Sequence, residues 1–200
     1  PTFFVTLADE VEGQFTRHKF HYKNHKELGQ AILEGGLDKG FDLSFGYHVE
    51  LQHTQVVPLH FLLPEPTIPI LPIYVNTWVK PLPTPSRCYR LGELIREVAG
   101  KRPERIALLS TGGLSHFPGS PRVGEIDTEF DHKLLEIMRE GKGRVLANYT
   151  SENLLDTGNS EFLNWVVALG AVSDTKASST FYMPDHVATG WGFASWKLAA

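Results

Sequence analysis

A chain of 200 residues that is 42% hydrophobic and 21% charged can bury a core, and with no compositional break it reads as one domain. Nineteen Lys and Arg against 23 Asp and Glu leave a formal charge of −4, which argues against nucleic acid or an anionic membrane as a partner. The single cysteine, Cys88, excludes an internal disulfide, and no apolar run approaches the ~20 residues of a membrane span, so a cytoplasmic protein is expected.

The opening residues lack the basic-then-apolar pattern of a signal peptide, and Phe3-Phe-Val-Thr-Leu7 reads instead as a core strand. Leu28, Ala31 and Ile32 predict a helix ending before Gly35-Gly36, and Phe41 to Tyr47 is a weaker strand candidate. The apolar runs Ile68–Val75 and Ile106–Ser110, bounded by Pro or charge, suit strands buried on both faces. Between them Leu91, Leu94, Ile95 and Val98 form one helical stripe, with Ser86 as N-cap and Gly100 and Pro103 as the stop. A third helix is predicted from Thr128 to Glu140 with Phe130, Leu134, Ile137 and Met138 inward, ending at Gly141. A fourth runs from about Asn159 to Ala171 with Phe162, Trp165, Val166 and Leu169 on one stripe. Strands alternating with helices predict an α/β fold, a mixed, largely parallel central sheet flanked by helices on both faces.

The chemistry concentrates in Ser110-Thr-Gly-Gly-Leu-Ser-His116, which follows a predicted strand directly, where open α/β sheets place ligands. Gly112 and Gly113 let backbone approach a ligand, and an imidazole suits proton transfer near neutral pH. Spacing alone leaves His116 open between a proton carrier and a loop histidine bonded to backbone. The glycines are not a phosphate loop, since the Gly-Lys-Ser/Thr ending is missing. His53 closes a predicted strand ahead of Pro58; a solvated or core-satisfied imidazole is the alternative to a functional one. His18, His21 and His25 sit in a Lys-rich stretch and read as solvated surface. Glu161 shares a helix side with Trp165 and Leu169, and a carboxylate on that side needs a partner, a divalent cation being one. A favourable charge at a helix N-terminus is the competing explanation. A serine hydrolase built on Ser110 or Ser115 with His116 lacks its Gly-x-Ser-x-Gly elbow.

Taken together, Phe3-Phe-Val, Gln52-His-Thr-Gln-Val-Val-Pro-Leu59, Leu71-Pro-Ile-Tyr-Val-Asn76 with Arg90-Leu-Gly-Glu-Leu-Ile95, Thr111-Gly-Gly-Leu-Ser-His116 with Glu129-Phe-Asp131, and Ser160-Glu-Phe-Leu-Asn-Trp165 resemble the class III extradiol ring-cleavage dioxygenases. The resemblance implies non-haem Fe(II) held by two histidines and a carboxylate, with Glu161 as the carboxylate, His116 as acid/base and His53 as a second active-site histidine. It also implies a catechol-type substrate, O2, and a homo-oligomer. In that pattern the two iron-binding histidines precede the strand that opens this sequence. Residues 1–200 are therefore expected to be a single, N-terminally truncated catalytic domain, inactive alone. An iron-free accessory or binding subunit is the alternative.

Overall fold

Phe3–Thr6 is a strand (β1), with Phe3, Val5 and Thr6 buried, as its apolar composition predicts. The computed structural model describes residues 2–185 and 188–198, which divide into two units: Pro1–Asn76 with Val98–Glu104, and Thr77–Glu97 with Arg105–Ala200. The first unit adds β2 (Glu10–Phe15), β3 (His18–Lys23), α1 (Lys26–Asp38), β4 (Ser44–Gly46), β5 (Glu50–Leu51), α2 (His53–Leu62) and β6 (Ile73–Val75). β1 lies between β4, parallel, and β6, antiparallel, so that Phe4 is opposite both Ser44 and Tyr74. A second three-stranded sheet has the order β3-β2-β5, antiparallel then parallel. Alternation along β2 and β3 turns Val11, Phe20 and Tyr22 inward against Leu51 and Val56. Gly13 is required in that contact, because a Cβ there would stand 2.6 Å from the Leu51 carbonyl oxygen.

The Lys-rich histidine stretch thus contains a strand. His18 and His21 are exposed as expected, His21 pairing with Glu10 at 2.9 Å. His25 is not simply solvated: its Nδ1 accepts the Leu28 N–H at 3.3 Å and caps α1. That helix runs through Gly35-Gly36 rather than stopping before them, since Gly36 packs beneath Leu43 and Phe41.

The second unit contains most of α3 (Pro85–Gly100), then α4 (Thr128–Glu140), a 3-10 turn at Gly143–Asn148, α5 (Ser151–Asp156), α6 (Phe162–Val172), β7 (Ser179–Asp185) and β8 (Thr189–Ser195). Helix α6 is buried at every position but Asn164, so it forms the centre of this unit. It crosses α3 backbone to backbone at Gly92 and Gly170: a Cβ on either would collide with the carbonyl of Val167 or Tyr89. The hairpin β7–β8 turns Tyr182 and Thr180 towards α4, while its cross-strand pairs Phe181–Phe193 and Met183–Trp191 are exposed.

The class is therefore mixed α/β, and the described sheets are small, with three, three and two strands. Four local expectations change. Of Ile68–Val75 only Ile73–Val75 is a strand; it is half-buried, and Ile68 is exposed. Ile106–Ser110 forms no strand among the described residues, and Ile106, Leu108 and Leu109 are exposed; an apolar run becomes a buried strand only where edges are available on both sides of it. Helix α3 starts at Pro85, with Thr84 Oγ1 accepting the Arg87 N–H at 3.3 Å, because proline fits the first helical position and shifts the cap from Ser86 to Thr84. The inward stripe of α4 is Asp131, Leu134, Leu135 and Met138, displaced from the expected one towards a buried aspartate.

Candidate active site

Residues 111–116 are held by the start of α6. Thr111 O accepts from Asn164 Nδ2 at 2.9 Å, Gly112 O from Trp165 Nε1 at 2.9 Å, and the Gly113 N–H donates to Glu161 Oε2 at 2.7 Å. Positions 161, 164 and 165 share one helix side, which is why one helical turn can hold three successive loop residues. The paired glycines are used for close approach. Gly112 has φ +155°, and a Cβ on it would lie 2.9 Å from the Glu161 carbonyl oxygen; one on Gly113 would lie 3.1 Å from the His116 ring.

Glu161 occupies the N-cap of α6, one residue before the helix rather than inside its first turn, and its carboxylate accepts no helix N–H. Its second oxygen, Oε1, faces His116 Nε2 at 3.5 Å and the Trp78 indole N–H at 3.4 Å. His116 Nδ1 lies 2.7 Å from Leu114 O; a carbonyl only accepts, so Nδ1 carries a proton and Nε2 is the nitrogen free to gain or lose one. The Glu161 carboxylate, foremost, and the Leu114 carbonyl push the imidazole pKa above its usual value against the opposing effect of burial. Burial pushes the Glu161 carboxyl up, but the hydrogen bonds from His116 and Gly113 outweigh it and hold the group below the usual carboxylate range.

The loop is anchored from beneath by Asp131, which is fully buried. Its Oδ1 accepts from the Ser115 N–H at 3.0 Å and Asn159 Nδ2 at 3.2 Å, and its Oδ2 from Ser115 Oγ at 2.7 Å and the Tyr182 hydroxyl at 2.8 Å. Ser115 Oγ also accepts the Asp127 N–H at 2.8 Å, tying the residue before His116 to the start of α4. The serine is thus a structural hydroxyl.

The structure brings His116 and Glu161 together. His53 belongs to the first unit, where it opens α2 and is exposed rather than ending a strand; Gln52 and Gln55 set the helix start, with Gln52 N donating to Gln55 Oε1 at 2.9 Å. Neither unit alone fixes its distance from the other two residues. Sequence reasoning missed Trp78, for which spacing offers no signal, and the role of Asp131, which the stripe at 131, 134, 135 and 138 would have indicated.

Against an Fe(II) site the donor set is incomplete. Glu161 is one suitable carboxylate, but among the described residues no three His, Cys, Asp or Glu side chains gather as a metal site. No helix among the described residues is long and apolar enough to cross a membrane.

Residues 2–193 match the family described as the catalytic LigB subunit of aromatic ring-opening dioxygenase, and the chain belongs to that family. It is 32% identical over 147 residues, 73% of its length and 45% of the relative's, to 2,3-dihydroxyphenylpropionate/2,3-dihydroxicinnamic acid 1,2-dioxygenase 2 of Pseudomonas putida. It is 28% identical over 171 residues, 80% of its length and 50% of the relative's, to gallate dioxygenase of Pseudomonas putida. With the 2,3-dihydroxyphenylpropionate/2,3-dihydroxicinnamic acid 1,2-dioxygenase of Klebsiella pneumoniae it shares 30% over 136 residues, 68% of its length and 43% of the relative's. The chain spans about half the length of the curated relatives it matches.

Proposed function

We propose that the chain is the catalytic part of a non-haem Fe(II)-dependent extradiol dioxygenase that opens a catechol-type aromatic ring with O2, beside the two hydroxyls, giving a muconic semialdehyde-type product. The observation that supports this most is the meeting of His116 and Glu161 in a chain of the ring-opening family. The names of two of the relatives carry a 2,3-dihydroxyphenyl group, the vicinal diol that such a reaction needs. His116 Nε2 takes a hydroxyl proton from the diol, holds it while the ring opens, and returns it to the product, one residue serving as base and then as acid. The Leu114 carbonyl fixes the tautomer that this role requires. Glu161 is the carboxylate this chain contributes to the metal, oriented by the Gly113 N–H, and His53 is a second histidine beside the diol. Fe(II), when bound, would supply chelation of the diol oxygens and reactivity towards O2. The reading also expects a larger, mostly parallel central sheet flanked by helices on both faces, a cytoplasmic location and a homo-oligomer.

The test uses the product of the full reading frame, following O2 uptake and the absorbance of the ring-opened product. His116→Phe is expected to lower kcat by ~10²–10⁴ with a much smaller change in KM. Glu161→Ala is expected to abolish stoichiometric iron in metal analysis while the far-UV circular dichroism is retained. Near-wild-type kcat in His116→Phe rejects the assignment of the proton carrier. The incomplete donor set favours a second reading, an iron-free accessory or binding subunit. A full-length wild type that takes up no iron, yet binds a catechol, would select it.

A further inference from the structure

Resting on that reading, we propose that Trp78 is a specificity-determining residue of the same site, the wall against which the aromatic ring of the substrate packs. Trp78 lies on the connection between β6 and α3, in the same unit as His116 and Glu161. Two side chains converge on one oxygen, Glu161 Oε1: the indole N–H at 3.4 Å and His116 Nε2 at 3.5 Å. The indole stands edge to face with the imidazole, ring centroids 6.0 Å apart at 81°. The side chains of His116 and Glu161 are only 14% and 21% exposed, whereas Trp78 is 45% exposed, so the indole is the part of this cluster most open to a ligand.

The chemistry of that surface selects its occupant. An indole beside a carboxylate and an imidazole offers a broad apolar face next to groups that bind hydroxyls, and a planar aromatic ring bearing hydroxyls matches both features. Two other tryptophans are engaged with backbone: Trp165 Nε1 donates to Gly112 O at 2.9 Å and Trp196 Nε1 to Thr175 O at 3.1 Å. The Trp78 indole N–H donates to the Glu161 carboxylate of the site. Its segment is stiffened by Pro81, Pro83 and Pro85, whose rings restrict φ, so the indole is carried on a chain with few alternative paths.

The experiment titrates the product of the full reading frame with catechol, and with cis-1,2-cyclohexanediol as a vicinal diol without an aromatic ring. Binding is followed by the Trp78 indole N–H and His116 Cε1–H resonances, with the Trp165 indole N–H reporting that each variant is folded. Catechol is expected to shift both Trp78 and His116. Trp78→Ala is expected to weaken catechol by about three- to tenfold and leave cyclohexanediol unchanged, while Trp78→Phe, which keeps a ring, stays within about twofold of wild type. Equal catechol affinity in Trp78→Ala and wild type, or equal losses for both diols, overturns the proposal. A His116 response to catechol with Trp78 undisturbed overturns this inference alone; no response at His116 overturns the functional reading with it.

Discussion

Asp131 and Glu161 are two carboxylates in one unit, both bonded to the loop that carries His116, and their surroundings differ. Asp131 is fully buried and receives four donors at 2.7–3.2 Å from the loop, the α5–α6 connection and the β7–β8 hairpin. Glu161 receives one short hydrogen bond, from Gly113, and its other oxygen has only longer contacts with Trp78 and His116. A carboxylate whose lone pairs are all engaged by neutral donors is a structural joint. One that keeps an oxygen in long contacts at a half-open position has coordination capacity left for a proton, a hydroxyl or a cation.

If that contrast holds, changes at Asp131 should act on folding and changes at Glu161 on the site. The largest effect is expected for Asp131→Ala, which leaves the Ser115 N–H without its acceptor, removes one acceptor of Asn159 Nδ2 and strands the Ser115 and Tyr182 hydroxyls, and should cost about 2–5 kcal/mol in urea denaturation. Gly190→Ala should follow at about 1–3 kcal/mol, since its Cβ would collide with Asp131 Oδ2 and stand 3.2 Å from Leu114 Cβ. Asp131→Asn sharpens the argument. Both partners of Oδ2 are hydroxyls that can reverse and accept from the new amide, so a loss near ~1 kcal/mol is expected, and a loss as large as that of alanine would show that the charge itself matters.

Glu161→Gln in the metal-free chain should have the smallest effect on stability, about 1 kcal/mol or less, and it should depend on pH. The raised His116 pKa contributes stability that is complete below the unfolded histidine value of ~6.5 and is lost as pH rises through the higher folded value. The lowered Glu161 pKa contributes stability that is complete above the unfolded value of ~4.3 and is lost as pH falls through the lower folded value. The difference between wild type and Glu161→Gln in denaturation midpoint should therefore be greatest between about pH 4.3 and 6.5 and shrink on either side. In the same variant the His116 titration followed by NMR should move down, since Glu161 is the main cause of its rise. A flat difference across this range would mean that the two groups are not coupled.

Elements with strong local signals were legible. Helix α4 runs from Thr128 to Glu140 and ends at Gly141 in the left-handed conformation, φ +72°, because its cap residues and punctuation are local. The apolar β1 and the buried face of α6 were equally plain. The loop at Gly112–His116 was recognisable because glycine pairs mark close backbone approach. The hairpin β7–β8 was not, and its alternation would mislead: the period-two pattern favours Phe181, Met183, Trp191 and Phe193 as the inner face, whereas the structure exposes them and turns Tyr182 to Asp131.

Sequence alone thus determined the local preferences of this protein: where helices begin and end, which loop could bend around a ligand, and that His116 and Glu161 are the residue types for proton transfer and metal binding. These depend on dihedral preference, side-chain size and titration range, which are properties of single residues and their near neighbours. Only the tertiary structure decided that Glu161 stands at the N-cap position of α6 with its carboxylate on His116 across 45 positions, that Asp131 rather than Phe130 turns inward, that Trp78 joins the site, and that Ile106–Ser110 forms no strand among the described residues. Each of those outcomes depends on a partner far away in sequence, because a buried carboxylate goes where its donors are and an apolar run becomes a strand only where another edge can pair with it.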